Sequence, residues 1–502
     1  MLRLQAKNMY RKIFFILLFL NLFLFTRLSA ENLLGEEEKG EGVYLTLEEV
    51  SELALSNNFD IQLAQFDAQF KETDLDKARS IYDTIIEAEA KFKDDQKKVA
   101  SAFLGTKSEA RNYNLGISQK LPTGSTLELD FDNQRSWTNS GFTTVNPAHD
   151  SLAKLTLKQE LGRNFFGIKD RSNVKITKID IQNAQYTSLD KIEEILARVQ
   201  KAYWKIAQDL EVVRIREDML IKANELFQFN KEKIIKGIIE KPQLVASEAN
   251  LKQREIDLML AQNELQFQIN DLKLLLNLEE KDKAILPEED INLISQSIEL
   301  SKALKTAFSH RRDYLIVKNK VDSQNLKLVM QKNNLWPEIN LEASITRNGL
   351  NDHLSQAIKD ISSEDNPEYY LGLKVQFPLQ NRQARSEFNK AKIEKTQALL
   401  NLKKTERQIL IEINDGVRNC KVLEERAKKQ NNVVKLQEEK LAEELKSYQY
   451  GRSDTDTVIR YQDDLLSSQL LYLGALLDYK HALIELSLKE NSLLETFWKD
   501  AL

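Results

Sequence analysis

Four histidines, one cysteine and five methionines are all that 502 residues offer for metal, thiol or imidazole chemistry. His149, His310, His353 and His481 lie far apart, and none has a partner at the short spacings of a metal site. Cys420 keeps step with Ile413 and Val417 on the apolar face of a helix, the place of a small core residue rather than a reactive thiol. The sequence has no glycine loop to cradle a phosphate, and its methionines are too few for a soft-metal relay. The residues that do cluster are of another kind. The stretch YGRSDTDTVIRYQDDLLSS (450 to 468) sets Arg452, Asp454, Asp456, Thr457, Arg460, Asp464 and Ser468 at and just beyond Gly451. None of these residues reads as an active site, so no enzyme is expected, and no cofactor or metal.

The elements that carry this cluster are long helices. Between Gly167 and Gly237 there is no glycine or proline, and Ile192, Ile195, Val199, Ala202, Ile206, Leu210 and Val213 recur at steps of three and four. That is a narrow apolar seam, as in coiled coils, and residues 172 to 235 as one helix would span roughly 95 Å. The chain turns at Lys236-Gly237, has Pro242 in the first turn of the next helix, and runs on to about Asn277. A second such rod runs from about Ser386 to Tyr450, turns at Gly451 to Asp454, and returns from Thr455 to about Trp498. Gly416 and Gly474 lie inside these helices at a cost of about 1 kcal/mol each relative to alanine, which predicts close helix approach there.

Short alternating runs interrupt the helices. They are Glu87 to Phe92, Tyr113 to Leu121, Thr126 to Asp132 and Leu152 to Lys158 in the first half, and Ile339 to Thr346 and Tyr369 to Phe377 in the second. Each reads as a strand with its two faces in different surroundings. LPTGS (121 to 125) reverses the chain, and 133 to 150 and 347 to 368 read as long polar loops. Trp137, Phe142, Tyr369 and Tyr370 suit either an interfacial aromatic girdle or strand-end packing. At LWPEINL (335 to 341), Trp336-Pro337 marks a junction from helix to strand.

The pattern also repeats. Residues 57 to 92 lie on 311 to 346 after a shift of 254, whereas Gly237 lies on Gly451 after a shift of 214. The difference of about 40 residues falls in the strand region of the first half.

The first 30 residues read as a secretory signal peptide. Lys7, Arg11 and Lys12 precede the apolar run IFFILLFLNLFLF (13 to 25), and Leu28-Ser29-Ala30 offers the cleavage site. Cleavage removes Arg3, Lys7, Arg11, Lys12 and Arg27 and no acid, leaving the remainder more acidic than the −5 of the whole chain. An acidic export product argues against nucleic-acid binding.

Alternating strands suit a barrel wall, apolar outside and polar inside, and narrow-seamed helices suit a hollow cylinder. Neither half has enough strands to close a barrel, so closure would require several copies of the chain. With the duplication, LWPEINL, the strand ending VQFPL (375 to 379) and the turn-plus-helix at 450 to 479, residues 43 to 498 resemble the TolC-like outer-membrane efflux protein family.

The resemblance implies a mainly α fold with a transmembrane β-barrel, in which duplicated long-helix hairpins form an α-helical tunnel below a trimeric barrel. It implies a homotrimer in outer-membrane lipid, its tunnel projecting into the periplasm. The partners would be a periplasmic adaptor and an inner-membrane pump, proton-driven or ATP-driven. The division expected is 1–30 signal peptide, 31–84 N-terminal and first tunnel helices, 85–160 first-half strands, and 161–285 first hairpin. There follow 286–336, an equatorial segment and tunnel helix, 337–379, the second-half strands, and 380–502, the second hairpin and C-terminus.

The turns would form the periplasmic tip, with Gly237, Pro242, Gly451, Arg452 and Asp454 for adaptor docking. Asp456, Thr457, Arg460, Asp464 and Ser468 would line the tunnel mouth, Arg460 and Asp464 at i,i+4 spacing for an ion pair, although a solvated helix face has the same spacing. Trp336 and Pro337 mark the junction. Two departures stand out. The family often carries aspartates where this chain has Thr457 and Arg460. It usually has two strands per half, twelve per trimer, whereas four plus two are counted here; either Tyr113 to Asp132 adds a hairpin or part of 93 to 137 is an irregular insertion. The rival reading is a periplasmic adaptor or coiled-coil scaffold without a barrel.

Overall fold

The computed structural model describes residues 42–98, 103, 105–279, 282–363 and 365–498; the leader expected at 1–30 lies outside them. The elements are β1 (Val43–Leu45), α1 (Leu47–Asn57), α2 (Phe59–Glu72), α3 (Asp74–Arg79), β2 (Thr84–Asp95), β3 (Ser108–Lys120), β4 (Ser125–Thr138) and β5 (Ala148–Glu160). There follow α4 (Ile168–Ile235), α5 (Lys241–Leu275), β6 (Ile285–Pro287), α6 (Leu300–His310), α7 (Arg312–Asn333) and β7 (Glu338–Asn351). The last are α8 (Leu354–Ser363), β8 (Pro367–Gln376), α9 (Arg382–Gln449), α10 (Thr455–Glu490) and α11 (Leu493–Trp498).

These form two compact units. Among the described residues, one comprises 42–64, Leu189–Arg312 and 408–498, the other Gln65–Ser188 and Asp313–Arg407. The first unit is helical, with a short parallel pair, β1 on β6. Its core follows the expected seam: Ile192, Ile195, Val199 and Ile206 are buried with Leu473, Leu476 and Ile484 of α10. Helix ends obey local chemistry. Thr46 and Glu49 close a capping box on α1, and Asp454 caps α10.

Gly416 and Gly474 have different surroundings. A Cβ at Gly416 would lie 3.1 Å from Leu486 Cδ1, so α9 and α10 approach closely there, while Gly474 has open space. Cys420 is buried, its thiol donates to the Ala482 carbonyl at 3.3 Å, and burial pushes it up to about 11.

The second unit holds one antiparallel sheet in the order β2-β3-β4-β5-β7-β8. The internal repeat is visible in its elements. α4 and α9 have 68 residues each and begin 214 positions apart, as do α5 and α10, with 35 and 36. β2 and β7 begin 254 apart. The surplus of the first half is the β3–β4 hairpin, paired along nearly its whole length with β2 on one side and β5 on the other. Tyr113 to Asp132 is thus a hairpin and not an irregular insertion.

The strands run further than their alternation predicts. β4 continues to Thr138, β5 starts at Ala148 and β7 reaches Asn351. Within 347 to 368, read as a loop, lies the helix α8, packed so closely on β7 that a Cβ at Gly349 would meet the Ala357 carbonyl oxygen at 2.2 Å.

Candidate functional site

Two places in the chain have the chemistry of a site, one in each unit. In the helical unit it is the pair of turns at Gly237 and Gly451. Both glycines have left-handed backbones, φ +68° and +70°. In each turn the glycine N–H donates to the carbonyl three residues back, and the next N–H reaches five back, Ile238 to Lys233 at 3.0 Å and Arg452 to Ser447 at 2.9 Å. This is the Schellman ending, in which glycine carries no Cβ penalty. Pro242 then sits in the first turn of α5, where its missing N–H costs nothing.

A buried polar knot joins the two turns. Tyr448, Asn230 and Thr455 are all at most 3% exposed. The Tyr448 hydroxyl donates to Asn230 Oδ1 and lies 2.9 Å from Thr455 Oγ1, which accepts from Asn230 Nδ2 at 3.1 Å. Lys233 Nζ donates to the Tyr448 carbonyl at 3.1 Å and lies over the Phe229 and Tyr448 rings. Burial lowers the Lys233 ammonium and raises the Tyr448 phenol. Sequence reading missed this knot; the clue was an asparagine and a tyrosine on otherwise apolar helix faces.

The Asp454 carboxylate accepts from the Thr457 N–H at 2.7 Å, and this bond holds it below the usual carboxylate range. Its cap is therefore complete above the ordinary aspartate range and is lost as pH falls through the lowered value. Asp454→Ala is expected to cost about 1 kcal/mol, read as faster protease cleavage at 450–455.

Residues expected to line a tunnel mouth divide once α10 is packed. Asp456 and Arg460 are exposed, but Ser468 is buried, its hydroxyl donating to the Leu465 carbonyl. Asp464 does not pair with Arg460; it pairs with Lys440 of α9 at 2.6 Å. Arg460 instead lies over the Tyr461 ring. The exposed line of α10 is Asp456, Arg460, Asp463, Ser467 and Leu471. Asp463 accepts from Arg254 of α5, whose guanidinium also meets Asp257, itself paired with Arg216 of α4 at 2.7 Å.

In the other unit the site is the sheet itself. Its register puts Ile86, Ile117, Leu129, Leu155, Ile345 and Tyr369 in one row on one face. Adjacent rows on that face are also largely apolar, and most of these side chains are exposed. The opposite face carries Glu87, Glu89, Glu128, Asp130, Lys154 and Lys374. Trp137 and Tyr369 share the apolar face, but Tyr370 is on the polar one, and Phe142 stacks on Phe103 at 4.1 Å in the loops. No described helix is long and apolar enough to cross a membrane, a test that does not bear on strands.

At the second junction α7 ends at Asn333, four residues ahead of Pro337. Trp336 is exposed, and the Pro337 carbonyl accepts from the Arg163 N–H at 2.8 Å. Gly162 makes this crossing possible, since a Cβ there would lie 2.1 Å from the Pro337 oxygen. Nothing in the sequence pattern singled out Gly162.

Residues 126–278 match the family described as outer membrane efflux protein. The TolC-like resemblance read from the sequence is borne out. No curated protein matches the chain. Among solved structures, the CmeC outer membrane channel of Campylobacter jejuni aligns at TM-score 0.64 and 14% identity, covering 92% of this chain and 90% of that one. The outer membrane protein VceC of Vibrio cholerae aligns at 0.63 and 15%, covering 88% and 95%. The MtrE outer membrane channel of Neisseria gonorrhoeae, in its open state, aligns at 0.64 and 13%, covering 92% and 98%. At these identities the likeness establishes the fold.

Proposed function

We propose that this chain, whose residues 126–278 carry the outer membrane efflux protein pattern, forms a homotrimeric outer-membrane channel continued by a periplasmic helical tunnel. It is the exit duct of a tripartite efflux or secretion system, passing substrates without chemistry of its own. An inner-membrane pump, proton-driven or ATP-driven, supplies them through a periplasmic adaptor.

The observation that carries this reading is the two-faced sheet, apolar on one side and charged on the other, as a wall between lipid and water requires. Its outer strands β2 and β8 pair with no strand on their free sides among the described residues. Open edges in hydrocarbon leave backbone groups unpaired, so further copies must close the sheet into a barrel. The helices support association too. α9 leaves Leu410, Ile411, Val422, Val433 and Leu436 exposed, apolar surface suited to a neighbouring copy.

The turns with Gly237, Pro242, Gly451, Arg452 and Asp454 form the tip on which the adaptor docks. Asp456, Thr457 and Arg460 lie at the tunnel mouth, and Arg460 helps to gate it. The purified protein is expected to form discrete channels in a planar bilayer, and recovery only in the soluble periplasmic fraction would defeat the proposal in favour of a scaffold. Within that assay Arg460→Ala is expected to alter single-channel conductance and its dependence on salt. If neither changes, Arg460 is not part of the gate.

A further inference from the structure

The open edges of the sheet carry their own instructions for pairing. The order β2-β3-β4-β5-β7-β8 alternates in direction at every step, so β8 runs opposite to β2. An even number of strands lets β8 of one copy meet β2 of the next as an antiparallel pair, the same ladder that holds the sheet internally. An odd number would force a parallel junction.

Registers differ in the charges they bring together. Inside the sheet, opposite charges face one another on the polar side: Asp130 is paired with Lys154, and Lys158 with Glu342. Lys158 also reaches Glu128 at 2.6 Å. On the free edges, Glu87, Glu368 and Lys374 are exposed and have no ion pair among the described residues.

We propose that β8 of one copy pairs with β2 of the next in the register that sets Lys374 opposite Glu87 and Glu368 opposite Lys93. All ten residues of β8 then lie against β2, Gln376 opposite Ile85 and Pro367 opposite Asp94. On the apolar face the same register sets Val375 on Ile86, Leu373 on Ala88, Leu371 on Ala90 and Tyr369 on Phe92, continuing the apolar band without a break. Opposite charges and aromatic pairs directly across a ladder are both stabilising. A slip of two residues one way leaves only Glu368 opposite Lys91. The slip the other way pairs Lys374 with Glu89 but opposes Glu368 with Asp95, a like-charge contact. A slip of one puts apolar residues on the polar face.

The pairing rests on the trimeric channel reading, and it gives that channel eighteen strands from three six-stranded sheets. The added β3–β4 hairpin is then a widening of the barrel, because diameter grows with strand number.

The test places two cysteines in one chain. Ala88→Cys with Leu373→Cys is expected to give covalent trimers under mild oxidation of the membrane-inserted protein. Ala88→Cys with Leu371→Cys or with Val375→Cys is expected to cross-link several-fold less. The native Cys420 is buried and does not compete. Glu87→Lys is expected to reduce the trimer fraction, and adding Lys374→Glu to restore it. Wild-type channels that conduct while a shifted cysteine pair cross-links best, or none does, would overturn the register and leave the channel reading standing. Failure of the wild type to insert would overturn both.

Discussion

Leu129→Arg is expected to abolish membrane insertion, while Asp130→Arg, one residue along the same strand, inserts and conducts. Leu129 lies between Ile117 and Leu155 on the apolar face of the sheet. Asp130 lies between Gly116 and Lys154 on the other. An arginine on the lipid side of a barrel costs about 2–4 kcal/mol at the bilayer midplane, and the proposed trimer would carry that cost in every copy. The same arginine on the water side keeps its hydration. There it replaces the carboxylate between Glu128 and Asp132 on the polar face of β4, opposite Lys154, so the measured reversal potential in a salt gradient should move toward anion preference. Fractionation of the two variants and bilayer recording of the second check the pair together. Equal insertion of both would mean that the apolar face does not meet lipid, and the channel reading would fail on its central observation.

The strands that make this contrast possible were legible because Leu127, Leu129 and Phe131 alternate cleanly with acids. Their ends were not. At the level of Arg111, Arg135 and His149 the apolar face itself becomes polar, so the alternation vanishes while the ladder continues. α8 was missed for a different reason: Leu354, Ala357, Ile358 and Ile361 do recur at helical spacing, but ten residues inside a long polar stretch give that period little length in which to show. Gly349 then lets that helix approach the strand. The long helices were the easiest to read, since a seam such as Ile192, Ile195 and Val199 needs only periodicity.

The pair of turns at Gly237 and Gly451 shows where periodicity stops helping. Spacing alone put Arg460, Asp464 and Ser468 on one open face, yet α10 packs against both α5 and α9. Polar residues on such a helix are drawn into cross-helix bonds, and so Lys440 takes Asp464 and Arg254 takes Asp463. Which partner wins depends on side chains more than 20 positions away in sequence, and no local pattern encodes it. The glycines at 237 and 451 escape this ambiguity because each ends a helical period with a residue that takes the left-handed conformation at no Cβ cost, a local signal.

The same dependence on distant partners governs the second large effect, at Glu193. This carboxylate is 0% exposed and is held by Arg312 Nη1, by Asn491 Nδ2 at 2.9 Å and by the Leu493 N–H at 2.7 Å. Arg312, at 8% exposed, also meets Asp190 at 3.3 Å, and its own N–H donates to Asn491 Oδ1. One buried charge pair thus fastens the start of α7 and the start of α11 to α4. Glu193→Ala removes the acceptor of a buried N–H and the main counter-charge of a buried guanidinium. Breaking such a pair from one side costs about 3–5 kcal/mol, far more than loss of any surface bridge in this chain. The expected result is a large drop in thermal unfolding temperature. Glu193→Leu combined with Arg312→Leu should recover much of the loss, because the desolvation cost disappears with both charges. If the double variant is no more stable than Glu193→Ala, the pair does not act as a unit.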